Sequence, residues 1–99
     1  MRRNDGSLFT FYAMGVDQEA FRVSILDFTN PASLPYWHSM IQNIIDFGYS
    51  GFMLDYGEYV DPQNIFFNGK NGKEVHNEYP NLYHQVTFDY LTSLEPERF

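Results

Sequence analysis

Apolar residues recur along this chain with two different spacings, and the change of spacing marks its elements. Leu34, Trp37, Ile41, Ile44 and Ile45 fall on one face at a 3.6-residue period, which predicts a helix from about Ser33 to Phe47. With Ser33 as the cap, Pro35 sits in the first turn, where its missing N–H costs little, and Gly48 supplies the C-terminal stop. A second stripe, Tyr79, Leu82, Tyr83, Val86, Tyr90 and Leu94, predicts a helix that opens at Asn77 or Glu78 with Pro80 in its first turn.

Shorter apolar runs lie between these helices. Phe21, Val23, Ile25 and Leu26 read as a strand ending at Asp27 and closed by Thr29-Asn30-Pro31; Gly51 to Leu54 reads as a second, buried strand that stops at Asp55. Strand, helix and strand in that order make a βαβ unit, which implies parallel strands and a right-handed crossover. Ahead of it, the turn signal Asn4-Asp5-Gly6-Ser7 and the run Leu8 to Ala13 predict a strand or half of a hairpin, with Asp17 to Ala20 as a polar connection. Behind it, Tyr59 to His76 reads as a long loop with turn signals at Asp61-Pro62, Asn68-Gly69 and Asn71-Gly72, a length uncommon unless functional.

The chain thus divides into a hairpin or connecting segment (1–20), a βαβ-loop-α core (21–94) and an end that reads as truncated (95–99). Two βα units cannot close a sheet, and a lone parallel pair leaves strand edges unpaired. The expected fold class is therefore α/β, as an interior slice of a larger fold.

Composition narrows the partners more than the fold. Apolar residues at 43% and aromatics at 19% supply a packed interior. The net charge of −7 argues against nucleic acid or an anionic membrane surface as partner, and no run approaches a membrane span. Arg2-Arg3 ahead of Leu8 to Val16 imitates a secretory signal, but Asp5, Thr10 and Tyr12 argue against one. The absence of cysteine excludes a disulfide scaffold and thiolate metal sites. His76, Asn77, Glu78 and His84 lack the i, i+4 spacing of a zinc helix, and Asp61 to Glu74 lacks calcium-loop spacing, so no metal or other cofactor is expected. His76-Asn77 is read instead as closing the loop onto the helix start by side-chain hydrogen bonds. No serine stands in a nucleophile elbow, and no glycine pattern fits a phosphate.

The candidate chemistry is carboxylate chemistry. Asp55 ends the predicted strand, and Glu58 follows after Tyr56-Gly57. In α/β proteins ligands bind at the carboxyl ends of the strands, which makes Asp55 a catalytic candidate, although a strand-end aspartate also commonly caps a turn. Met53 shares the Asp55 face by the two-residue period, with core packing at least as good an account of it. Asp27 ends the earlier run in the same way; an Asx turn held by Asp27 or Asn30 is favoured over a place in the site.

Taken together, Asp27-Phe28-Thr29-Asn30-Pro31, Gly51 to Tyr59, Asn68-Gly69 and the run His76 to Tyr83 resemble glycoside hydrolase family 31, over about Phe21 to Leu94. The resemblance implies a partial (β/α)8 TIM barrel of about two βα units that includes the nucleophile strand. It implies a retaining glycosidase acting on an α-glycoside, with Asp55 as nucleophile, Met53, Tyr56 and Glu58 binding the substrate, and the acid/base on a later strand outside this chain. The Asp-Tyr-Gly-Glu-Tyr run sides with the sulfoquinovosidase and α-xylosidase branches, while Val60-Asp61-Pro62 shifts that group's proline by one position. A complete barrel takes about 250 residues, so the 99-residue chain is expected to be inactive alone. The alternative is a non-catalytic carbohydrate-binding or structural remnant of such a barrel.

Overall fold

Two helices set the frame, and the connecting segments fold around one aromatic core. A computed structural model describes residues 1–3, 5–14 and 20–95.

Helix α1 spans Ser33–Asp46. An Asn30-centred turn builds its start: Asn30 Oδ1 accepts the Ala32 N–H at 3.0 Å, and the Ser33 N–H donates to the Asn30 carbonyl at 2.9 Å. Its N-cap is Ala32, one residue ahead of the expected Ser33, and makes no side-chain cap bond. Pro35 still falls in the first turn, where backbone N–H groups lack intrahelical acceptors. Gly48 ends the helix at φ +97°, with its N–H on the Ile45 carbonyl at 2.8 Å. That left-handed exit suits a residue without Cβ.

Helix α3, Tyr79–Leu94, follows Glu78 as N-cap and carries Pro80 at its start. The two helices are tied by polar groups on their facing sides. Trp37 Nε1 donates to Thr87 Oγ1 at 3.0 Å, Tyr90 Oη donates to Gln42 Oε1 at 2.8 Å, and His38 stacks on Tyr90 at 4.1 Å. Thr87 is buried, yet it also donates to the Tyr83 carbonyl at 2.8 Å, so no bonding capacity is wasted. Leu94, expected in the buried stripe, is exposed.

The core consists of Phe28, Val60, Phe66, Val75 and Tyr79, with Trp37 and Tyr83 packed against it. Phe28 is its centre, 5.7 Å from the rings of Trp37, Tyr79 and Tyr83. Strand β1 (Arg2–Arg3) pairs antiparallel with β4 (Asn64–Ile65), and β2 (Phe11–Met14) with β3 (Ala20–Val23), where Tyr12 faces Arg22. The hairpin expected near the start is thus present, but its second strand takes residues assigned to the run beginning at Phe21. Of the expected polar connection only Ala20 lies within the described residues, and the tail beyond Glu95 lies outside them, as does Asn4.

The parallel βαβ pair is not formed. Both sheets among the described residues are antiparallel, and neither residues 24–32 nor 51–60 contain a strand. Parallel strands are covered on both faces. Here Gly51, Met53 and Asp55 are exposed while Phe52 and Leu54 are half-buried, so only one side of the run finds cover.

The long loop is built from local turns and a short helix. Asp61 Oδ1 accepts the Gln63 N–H at 2.8 Å, and Gly69, at φ +84°, closes a turn onto Phe66. Helix α2, Gly72–Val75, opens with a capping box: Asn71 Oδ1 accepts the Glu74 N–H, and Glu74 Oε2 accepts that of Asn71. Gly72 packs so tightly under Asp61 that a Cβ would overlap the Asp61 carbonyl oxygen. His76 Nδ1 lies 2.8 Å from the Val60 carbonyl, which can only accept, so the ring donates there and closes the loop onto the start of α3. Asn64 is completely buried, and its side-chain amide has no hydrogen-bond partner among the described residues.

Candidate active site

The backbone just after Asp55 is locally strained. Asp55 Oδ1 accepts the Tyr56 N–H at 3.0 Å, and Tyr56 adopts φ +65°, the one positive value among the described non-glycine residues. For a bulky L-residue that conformation costs on the order of 1–2 kcal/mol. Gly57 then passes against the start of α3, where a Cβ would lie 3.2 Å from Pro80 Cα. Tyr56 and Tyr59 approach at 5.7 Å, and Tyr59 stacks on Phe11 at 5.0 Å, which holds the hairpin against this segment.

Asp55 and Tyr56 border a cleft of approximately 950 Å³, whose walls include Asp27, Trp37, Tyr79 and Tyr83. A cleft of that size holds a sugar-sized ligand. Met53, 85% exposed, and Glu58 lie on the same extended segment but outside the cleft lining.

The two carboxylates of the cleft are held differently. Asp27 is buried: Oδ1 accepts the Thr29 N–H at 2.9 Å and the Thr29 hydroxyl at 2.7 Å, and Oδ2 accepts the Phe67 N–H at 2.7 Å. With three donors on its two oxygens, this side chain serves as a clamp between two turns. It makes the expected Asx turn and also lines the cleft. Asp55 is exposed, and its Oδ2 has no partner among the described residues. That oxygen is free to meet a ligand.

Two phenols border these acids. Burial pushes the Tyr79 hydroxyl far above its ordinary range, with the charges of Tyr83 and Asp27 adding to the shift; it donates to the Leu26 carbonyl at 2.8 Å. Burial also raises Tyr83, and the Asp55 carboxylate raises it further. Both therefore keep their protons at neutral pH. In the sequence, Trp37, Tyr79 and Tyr83 fall in helix stripes, and Tyr79 and Tyr83 also in the family-like run from His76, which does not mark them as lining residues of a cleft. A stripe rich in tyrosine rather than leucine is the signal that was passed over, because a buried phenol needs a polar partner. Among the described residues no three His, Asp or Glu side chains converge as a metal site, and no helix is long and apolar enough to cross a membrane.

Residues 1–99 match the sequence model of the family described as the glycosyl hydrolases family 31 TIM-barrel domain. The sulfoquinovosidase of Agrobacterium fabrum is 40% identical over 73 residues, covering 72% of this chain and 11% of that protein. The alpha-xylosidase of Emericella nidulans is 28% identical over 95 residues, covering 95% of this chain and 12% of that protein. A solved structure, a GH31 family sulfoquinovosidase from E. rectale in complex with the aza-sugar inhibitor IFGSQ, superposes with a TM-score of 0.75 at 24% identity, over 92% of this chain and 13% of its own. The chain therefore spans about a ninth to an eighth of the length of these relatives.

Proposed function

The chain belongs to glycosyl hydrolase family 31, and from that premise we propose that it carries the nucleophile side of a retaining α-glycosidase, as about two βα units of a (β/α)8 barrel. Asp55 is the nucleophile. The observation that carries this reading is the placement of Asp55: an accessible carboxylate with one committed oxygen, bordering an aromatic cleft next to the strained residue Tyr56.

In such a reaction the carboxylate attacks the anomeric carbon and forms a glycosyl ester. A second acid about 5–5.5 Å away protonates the leaving oxygen and then takes a proton from the water that cleaves the ester. Asp27 shares the cleft but is committed as a clamp, and the acid/base is assigned, as the family resemblance implies, to a later barrel strand. Tyr56 meets the sugar in the cleft. Met53 and Glu58 are assigned to the substrate as well, from the segment that neighbouring barrel strands would cover. With one of two carboxylates, residues 1–99 alone are expected to be inactive.

The test uses the full-length product of the gene that carries these residues. Asp55→Asn should lower α-glycoside turnover by on the order of a thousandfold or more while the melting temperature holds. A fluorinated glycosyl fluoride should label Asp55 itself, as read by peptide mass. Turnover at the wild-type rate in the Asp55→Asn protein would sink the assignment.

A further inference from the structure

The long loop carries two Asn-Gly pairs, Asn68-Gly69 and Asn71-Gly72. In such a pair the glycine backbone nitrogen can attack the asparagine side-chain carbonyl, because glycine has no Cβ to block the approach. The two pairs are chemically alike, but the fold holds them differently.

Asn68 and Gly69 are both exposed. Asn68 Oδ1 accepts the Lys70 N–H at 3.0 Å. This Asx turn folds the side chain across the Gly69 peptide and so carries Cγ toward the Gly69 nitrogen. The Lys70 N–H also stands at the oxygen where negative charge gathers when Cγ is attacked, as an oxyanion donor does. Gly69 turns at φ +84° with open space around it. Its N–H donates to the Phe66 carbonyl at 3.0 Å, a surface bond that must open before the nitrogen reacts.

Asn71, the N-cap of α2, is held from both sides. Its Oδ1 accepts the Glu74 N–H at 3.2 Å, and its own N–H donates to Glu74 Oε2 at 2.9 Å. Gly72 is buried and pressed against the Asp61-Pro62 backbone, which leaves the Asn71-Gly72 peptide little room to turn.

We propose that Asn68-Gly69 is a site of spontaneous deamidation in the folded protein and that the capping box protects Asn71-Gly72. Hydroxide removes the Gly69 amide proton, and the nitrogen attacks Asn68 Cγ to form a C–N bond. The Cγ–Nδ2 bond then breaks, and the side-chain nitrogen leaves as ammonia with a proton taken from water, which restores the hydroxide. Water opens the resulting succinimide: attack at Cγ gives aspartate, and attack at the main-chain carbonyl gives isoaspartate, whose backbone runs through Cβ. Either product adds a negative charge. Isoaspartate also lengthens the chain at the residue whose N–H donates to Thr29 Oγ1 at 3.3 Å, one position after Phe67 in the cleft wall.

The full-length gene product is incubated in mildly alkaline buffer made with heavy-oxygen water. Peptide masses report the fraction converted at each asparagine, and isoaspartyl methyltransferase reads the isoaspartate. A denatured sample, in which both pairs are released, is the control. In the folded protein Asn68 should convert at least about tenfold faster than Asn71, and the two rates should converge on denaturation. Glu74→Ala, which opens one half of the capping box, should speed conversion at Asn71 and leave Asn68 unchanged. Equal rates in the folded protein would overturn the proposal, as would an Asn68 that stays intact while the denatured control converts. A difference that persists unchanged on denaturation, or an Asn71 indifferent to Glu74→Ala, would remove the protective role of the fold.

Discussion

Asp27 Oδ2 accepts the Phe67 backbone N–H at 2.7 Å, across 40 residues of chain, and this bond pins the turn after β4 to the turn before α1. The Thr29 hydroxyl reinforces the same join by accepting the Asn68 N–H at 3.3 Å.

Asp27→Asn should therefore destabilise the fold. The amide keeps one acceptor oxygen and presents an NH2 group to donors, so at least one charge-assisted bond is lost in a buried site. The expected cost is about 2–4 kcal/mol, read as a lower urea midpoint at unchanged slope. A change below about 0.5 kcal/mol would mean that the join is dispensable.

Stability should decline at alkaline pH. The folded pKa of Tyr79 and of Tyr83 lies above the ordinary value of 10.0. The native state thus holds protons that the unfolded chain releases. Their contribution is complete below about pH 10 and is lost as pH rises toward the folded values. Tyr79→Phe removes the bond to Leu26, at a cost of about 1 kcal/mol near neutrality, and should flatten the alkaline decline. Urea unfolding at pH 8 and pH 11 compares the two slopes; parallel curves would contradict the argument.

Gly72→Ala should be among the more damaging small substitutions. The added methyl group would overlap backbone, the Asp61 carbonyl, rather than a side chain able to move aside. About 3 kcal/mol or more is expected. Gly51→Ala, at a position with open space around it, is the control and should be nearly silent in the same melt.

Where local chemistry decides the structure, the sequence was a sound guide. The glycine stop of α1 at Gly48, the Pro80 start of α3 and the Asx turn at Asp27 all depend on residues within a turn or two of one another. The short strands β1 and β4 were missed because each is defined by a partner some sixty residues away, and neither Arg2-Arg3 nor Asn64-Ile65 has a pattern of its own. Helix α2 was legible in principle, since Asn71 and Glu74 have capping-box spacing. The runs at Phe21 and Gly51 were read as parallel strands from their apolar content, but periodicity cannot supply the neighbour that a ladder requires. In the site, Asp55 was singled out by its abrupt place after an apolar run. Tyr83 was legible only as part of the buried stripe and of the His76 to Tyr83 run, because the cleft it borders is assembled from segments far apart in the chain.

The contact of Gly57 with Pro80 has a consequence for engineering. The Asp55-to-Glu58 segment is seated by the beginning of a helix more than twenty positions downstream, so it cannot be moved as a short peptide. A transplant of residues 55–58 into another protein would need a helix start of the same shape beneath Gly57, and a side chain in place of that glycine would push the segment off its seat without touching the Asp55 carboxylate.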